Sequence, residues 1–339
     1  MILKLWTLLF VFTFWFSVGH AGEITVYTSL EPAEIKTYVQ AAQEDLPGLT
    51  INTFRLSTGD LGARLLAESK RPKADLIWGW ALTDMLNPKI LTMIEAYKPK
   101  RYSDMPDKFR DGNGFWFAPT GYMAAFCVNT RRLKQKHLPM PKSWQDLSSP
   151  IFKHEVVMPN PVSSGTGYLQ VVSILQGFGD KKGWHLLKTI NANVGQYSKS
   201  GSRPCSMVSM GEYAIGASSA IAASEVIRQG YPVKMVIPAE GAGYELEANA
   251  LMQASKHKAD AKRFLDWTLS ERAKQLYVQR KAIVWEEPKH ISNTNDALLL
   301  ENSVSHKLFH MDFEKSRKQR SQIIANWRKR IEFGKESGS

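Results

Sequence analysis

An α/β fold in two lobes is what this sequence predicts, and three observations predict it. Apolar strands alternate with amphipathic helices from Glu23 onward, which implies parallel sheets covered by helices on both faces. The alternation runs as two separate series, the second starting near Tyr122. The 339 residues exceed one ordinary domain and suit about two of roughly 150 each. Hydrophobic residues at 43% and charged residues at 22% are globular values, which exclude a disordered, collagenous or coiled-coil chain.

In the first series, Ile24 and Val26 mark a short strand ending at Thr28-Ser29. Glu31-Pro32 opens a helix with Ile35, Val39, Ala42 and Leu46 at helical spacing, Pro32 suiting its first turn. Leu49 to Leu56 forms a second strand, Ser57-Thr58-Gly59 leads into a helix carrying Leu61, Leu65 and Leu66, and Ala74 to Trp78 is a third strand. In the second series, Met123–Asn129 and Glu155–Met158 are strands, and the loop Pro159–Gly167 runs into a helix with Leu169, Val172 and Leu175 on one side. Gly195 to Arg203 is expected to be a polar loop entering a helix with Pro204 near its start. Tyr213–Ala217 and Val233–Ile237 are strands flanking a helix, Ile221–Gln229, closed by Gly230. The helical stretch Lys258–Lys281 and the tail are expected to lack strand partners and to pack back on the lobes.

Residues 1–21 carry one early cation, Lys4, an apolar run from Leu5 to Val18, and small residues around the end, Gly19-His20-Ala21, the pattern of a cleaved export signal. The apolar run is about 14 residues, short of the roughly 20 that span a bilayer. The mature chain is then expected to be soluble, with about 318 residues and a net charge of about +11. No cysteine stands at the cut to take a lipid. The full sequence has 44 Lys and Arg against 32 Asp and Glu, a surplus of +12 that favours anionic partners. Two cysteines exclude a disulfide-dense miniprotein and a multi-cysteine zinc module. An oxidising compartment favours pairing of Cys127 with Cys205, the alternative being two separate buried thiols. A bridge closing a loop of about 79 residues would stabilise the fold by about 4 kcal/mol on chain-entropy grounds.

The sequence holds no G-x-S-x-G elbow, P-loop, G-x-G-x-x-G after a strand, or H-E-x-x-H. Gly59-Asp60-Leu61-Gly62 is a glycine-motif fragment that suits turn and helix packing, and His306 and His310 lack a third metal ligand nearby. What recurs is a strand end, then Ser, Thr or Gly, then a helix start: at Thr28-Ser29, at Ser57-Thr58-Gly59, at Ser163-Ser164-Gly165-Thr166-Gly167, and more loosely at Ser200-Gly201-Ser202. Such loops put hydroxyls and free N–H groups at positive helix ends, where a phosphate, phosphonate or carboxylate is favoured. Four ordinary helix caps would use the same residues. Their split between two lobes, on the side where α/β sheets bind ligands, favours a shared anion site. The basic C-terminal run, Lys315, Arg317, Lys318, Arg320, Arg328, Lys329 and Arg330, flanks the apolar stripe Ile323, Ile324, Trp327 and Ile331, as in a helix docked on the protein with its basic side in water. Export argues against a nucleic-acid partner.

Five segments together resemble periplasmic solute-binding proteins of ABC importers, in the branch of 2-aminoethylphosphonate and phosphosugar binders that also includes ferric-iron binders. They are Val26-Tyr27-Thr28-Ser29-Leu30-Glu31-Pro32, Ser57-Thr58-Gly59 with Ala63-Arg64-Leu65-Leu66-Ala67-Glu68, Ala74-Asp75-Leu76-Ile77-Trp78-Gly79, Met158-Pro159-Asn160-Pro161 with Ser163 to Tyr168, and Ser200-Gly201-Ser202 with Pro204-Cys205. The resemblance runs from about Glu23 to Arg330. It implies a type 2 periplasmic binding fold with a ligand cleft between lobes: residues 22–120, to which about 245–285 return, and 121–244, onto which 286–339 pack. It assigns Ser29, Thr58, Ser164, Gly165, Thr166 and Ser200 to an anionic ligand, and it matches a cysteine pair at Cys127 and Cys205. It further implies a monomer that meets a membrane permease, with no cofactor, no bound metal and no catalysis. A ferric-iron binder is the alternative, and an exported phosphoester hydrolase a more distant one. Departures bear on the ligand: Ala220 stands where aminophosphonate binders tend to carry an acid, Lys199 where they often carry His, and Tyr197 stands without the adjacent tyrosine typical of ferric binders.

Overall fold

The computed structural model describes residues 22–281, 283–286 and 308–332. The predicted export signal, His306 and most of the segment before the last helix lie outside the described residues.

In the first lobe, β1 (Gly22–Thr28) pairs in parallel with β2 (Leu49–Arg55) and β3 (Leu76–Ala81), with α1 (Pro32–Asp45) and α2 (Thr58–Ala67) as crossovers. Pro32 occupies the first turn of α1, and Glu31 and Glu34 form a reciprocal capping box there. Three short elements follow: α3 (Leu82–Met85), α4 (Pro88–Leu91) and β4 (Ile94–Glu95). The 13-residue β5 (Phe117–Asn129), buried throughout, then leaves this sheet and enters the next.

The second lobe is built from α5 (Thr130–Gln135), β6 (Val156–Pro159), α6 (Gly165–Phe178), α7 (Asp180–Asn191), β7 (Val194–Ser198), α8 (Arg203–Ser209), β8 (Ile215–Ser219), α9 (Ala220–Arg228) and β9 (Val233–Val236). The chain returns along β10 (Tyr244–Met252), which lies antiparallel between β3 and β5. It continues through α10 (Lys258–Trp267), α11 (Glu271–Val278), β11 (Ile283–Val284) and α12 (Phe313–Trp327), which ends in a wide turn at Arg328–Glu332.

Each series has its own core. One gathers Ile24, Val26, Leu76 and Trp78 with Phe264 and Tyr277; the other gathers Phe126, Trp144, Tyr168 and Ile174 with Ile323, Trp327 and Ile331 from the C-terminal helix. Cys127 on β5 is disulfide-bonded to Cys205 on α8, with Cα atoms 5.4 Å apart.

Four expectations need correction. The sheets are mixed rather than parallel, because β5 and β10 run against their neighbours. The polar stretch at Gly195 contains β7, a strand paired with β6 at the sheet edge, whose residues Gly195 and Gln196 are exposed and so carry no apolar signal. The helical stretch from Lys258 is broken by a new cap at Ser270, whose Oγ accepts from the Ala273 N–H at 3.1 Å. The tail does find a strand partner, since Ile283 and Val284 pair with β5. Along the basic helix, Ile323, Trp327 and Ile331 are buried as expected, but Arg320 turns inward, 3.4 Å from Asp84 of α3.

Candidate functional site

The C-terminal ends of β1 and β2 and the starts of α2, α6 and α9 face one another across a small cavity. This follows from parallel pairing, which brings strand ends and helix starts to one side of a sheet. Of the six predicted ligand residues, Ser29, Thr58, Ser164, Gly165 and Thr166 line this cavity. Ser200 lines a neighbouring one instead, and its carbonyl accepts a 2.9 Å bond from Ser198 Oγ.

The two walls touch. The Gly59 N–H donates to the Ser163 carbonyl at 3.0 Å, and Ser202 Oγ donates to Glu31 Oε2 at 2.9 Å. Gly165 is glycine for a steric reason, because a Cβ there would collide with the Thr58 side chain. Gly201 makes the same concession to Thr166.

The predicted hydroxyls divide by role. Ser164 is a helix cap, its Oγ accepting from the Gly167 N–H at 3.2 Å. Ser29 Oγ donates to the Gly79 carbonyl at 2.9 Å, which fixes the loop after β1. Ser57, the N-cap of α2, makes no side-chain cap bond. First-turn N–H groups such as those of Thr58, Gly165 and Thr166 have no acceptor inside their own helices, so they offer donors and a positive dipole end to the cavity.

Sequence reasoning missed the charged groups. Arg55, the last residue of β2, lines the cavity, held by the Leu30 carbonyl at 3.2 Å and by Glu31 at 3.5 Å. A cation two residues before Ser57, at a strand end, was a signal that could have been used. Burial pushes the Glu31 carboxyl above its ordinary range against the pull of Arg55. Glu34 and Glu247 line the far side and share the fully buried Lys281, whose Nζ lies 2.6 Å from Glu34 Oε1 and 2.7 Å from Glu247 Oε2. Burial disfavours the charge on Lys281, but Glu247 and Glu34 outweigh it and hold the ammonium more firmly protonated than usual. Tyr122 lies against Thr166, its phenol pushed well above the usual range by burial and then by the charges of Glu245 and Glu247. The site thus has an electropositive end, at the helix starts and Arg55, and an edge of hydrogen-bonding carboxylates.

Other predicted features lie elsewhere. Tyr197 donates to Asn191 at 2.9 Å and packs edge-on against Trp327 in the second core. Lys199 is exposed, its carbonyl accepting from Ser163 Oγ at 2.9 Å. Ala220 is buried at the start of α9, beside the cavity-lining Ser219. Among the described residues, no group of three or more His, Cys, Asp or Glu is arranged to hold a metal, and no helix is long and apolar enough to cross a membrane.

Two lobes that meet over a polar cavity, joined by strands passing between them, define a protein that binds a small solute in its cleft. The chain belongs to the family of bacterial extracellular solute-binding proteins, whose sequence profile matches residues 72–295. An uncharacterized protein of Haemophilus influenzae is 29% identical over 332 residues, which is 94% of this chain and 93% of that one. The periplasmic binding protein AfuA from Actinobacillus pleuropneumoniae, solved with exogenous fructose-6-phosphate bound, matches with a TM-score of 0.83 at 26% identity, over 92% of this chain and 99% of its own. Iron-bound HitA from Pseudomonas aeruginosa shares the fold, with a TM-score of 0.74 at 16% identity over 90% and 99% of the two chains. The fold is therefore that of a two-lobed type 2 periplasmic binding protein.

Proposed function

We propose that this protein is the periplasmic substrate-binding component of an ABC importer and that it captures a small organophosphate or phosphonate anion. Residues 22–120 and 245–285 would move as one lobe against 121–244 and the C-terminal helix. The observation that carries this is the meeting of two helix starts, Thr58 of α2 and Gly165-Thr166 of α6, from opposite walls and beside Arg55. A phosphate has oxygens enough to accept from both helix starts at once, so it bridges the cleft and favours the closed state. Closure then presents both lobes to a permease in one arrangement.

At the other end, Glu34 and Glu247 already share the charge of Lys281, so they suit the hydroxyls of a phosphorylated polyol better than an ammonium group. The fructose-6-phosphate bound to AfuA, 26% identical to this chain, supports the sugar-phosphate form of the proposal. The cavity lining among the described residues includes one tyrosine, Tyr122, and not an adjacent pair, which favours an anion over ferric iron. Adding ferric citrate should leave the protein colourless, and a stable visible band at one iron per chain would favour iron instead.

Calorimetric titration with fructose 6-phosphate and with fructose tests the proposal. Binding of the phosphorylated sugar alone is expected, whereas equal binding of both would overturn the anion site. No side chain is assigned to catalysis, so p-nitrophenyl phosphate should not turn over.

A further inference from the structure

Beside the ligand cavity lies a larger one, open to solvent. The two share Glu31, Glu34 and Ile221, and the Ser202 to Glu31 hydrogen bond stands where they meet. The larger cavity runs between α1 of the first lobe and α8 and α9 of the second, so it is completed when the walls come together. It opens from the carboxylate edge of the site, away from the helix starts at Thr58 and Thr166.

Its lining differs in kind from that of the first cavity. Ile221, Val226, Met210 and Tyr231 give it an apolar side, and Met210 is 65% exposed, an unusual state for a large apolar side chain. Arg203, exposed at the first turn of α8, presents its guanidinium to this compartment. Arg280 and Glu225 reach across from opposite lobes at 3.5 Å. A planar guanidinium, a thioether and a phenol ring share one preferred guest, an aromatic ring, through cation–π, sulfur–aromatic and ring–ring contacts.

We propose that this second compartment takes the aromatic aglycone of a glycoside phosphate, whose phosphate lies at Thr58 and Thr166 and whose sugar hydroxyls meet Glu34 and Glu247. The protein would then import aryl glycoside phosphates in preference to free sugar phosphates. The inference rests on the organophosphate function proposed above. It also gives Ser200 a place, on the wall of this second compartment.

Calorimetry with glucose 6-phosphate, methyl β-glucoside 6-phosphate and phenyl β-glucoside 6-phosphate tests it. The phenyl glycoside should bind at least about tenfold tighter than the methyl glycoside, the effect of burying one ring. Ser206 lines the second compartment and not the first. A Ser206→Trp variant should bring the two glycosides to parity while glucose 6-phosphate still binds within about twofold of the unsubstituted protein. Circular dichroism and a thermal melt establish that the variant is folded, and Ser206→Phe serves if it is not. Equal affinity for the two glycosides, rejection of both while glucose 6-phosphate binds, or an advantage that survives the substitution each overturns the compartment alone. If none of the three phosphates binds, the phosphate site itself falls and this inference with it.

Discussion

Thr166 and Thr58 carry the sharpest expectation, because neither is the N-cap of its helix and each is wedged against a glycine, Thr166 against Gly201 and Thr58 against Gly165 at the start of α6. A hydrogen bond to a charged group contributes about 1.5 to 3 kcal/mol. Thr166→Ala and Thr58→Ala should therefore each weaken ligand binding about tenfold to a hundredfold, with far smaller changes in unliganded melting temperature. Ser164 is the internal contrast, since its Oγ already serves Gly167; Ser164→Ala should cost about 1 kcal/mol of stability, as a lost cap does. Calorimetry and thermal melts on all three variants check this, and unchanged affinity in both threonine variants would refute the anion site. Glu245 carries the pH expectation. Burial raises its pKa from 4.5 to about 8 against the hydrogen bonds from Thr83, and the neighbouring charge of Asp84 adds to the rise. The folded protein thus holds a proton that the unfolded chain releases near 4.5, so this group's contribution is complete below that pH and declines as pH rises toward 8. Glu245→Gln should flatten the fall in melting temperature between about pH 5 and pH 8. An unchanged pH profile would show that Glu245 does not hold that proton.

The disulfide joins β5, which passes through both sheets, to α8, which borders the second compartment. A Cys127→Ser, Cys205→Ser double variant should lose about 4 kcal/mol, read from denaturant unfolding in oxidised and reduced samples. Equal stability of the two proteins would remove the constraint argument. The elements that were legible in the sequence are those whose burial follows their chemistry. β1, α1, β2 and α2 show apolar periodicity because one side of each packs on a core, and β3 shows an apolar run because it is buried throughout. β10 escaped notice because Glu245, Glu247 and Asn249 interrupt it, and all three are buried. A strand that buries acids reads as a surface segment until its partners, Thr83 and Lys281, are known, and those lie more than 30 residues away in the chain. Losing β10 also lost Glu247 from the site. The hydroxyl loops were legible because helix caps have a local code, whereas Arg55 and Tyr122 act through tertiary placement that no local spacing encodes.

Contacts from Gly59 to Ser163 and from Ser202 to Glu31 tie the two walls together in this structure. Hydrogen bonds and ion pairs between partly exposed groups hold such a cleft weakly, Arg280 with Glu225 among them, and the ligand would supply the rest. Small-angle scattering should show the radius of gyration fall when fructose 6-phosphate is added. At 100 times its dissociation constant the ligand should add about 2.7 kcal/mol to stability. Identical scattering curves would mean that the lobes do not move. The two cores also bear on how the molecule is made. The first needs Phe264 and Tyr277 from late in the chain beside Ile24 and Trp78, and the second needs Trp327, the last residue of α12, beside Tyr168 and Trp144. Neither core is complete until almost the whole polypeptide has been delivered, so a chain emerging N-terminus first cannot finish one lobe while waiting for the other. Such long-range dependence slows folding and keeps the partial product open. An open chain is the form that can be threaded through a membrane pore, so in a chain exported as its sequence leads one to expect, the same wiring that interlocks the lobes would defer their folding until the passage was over.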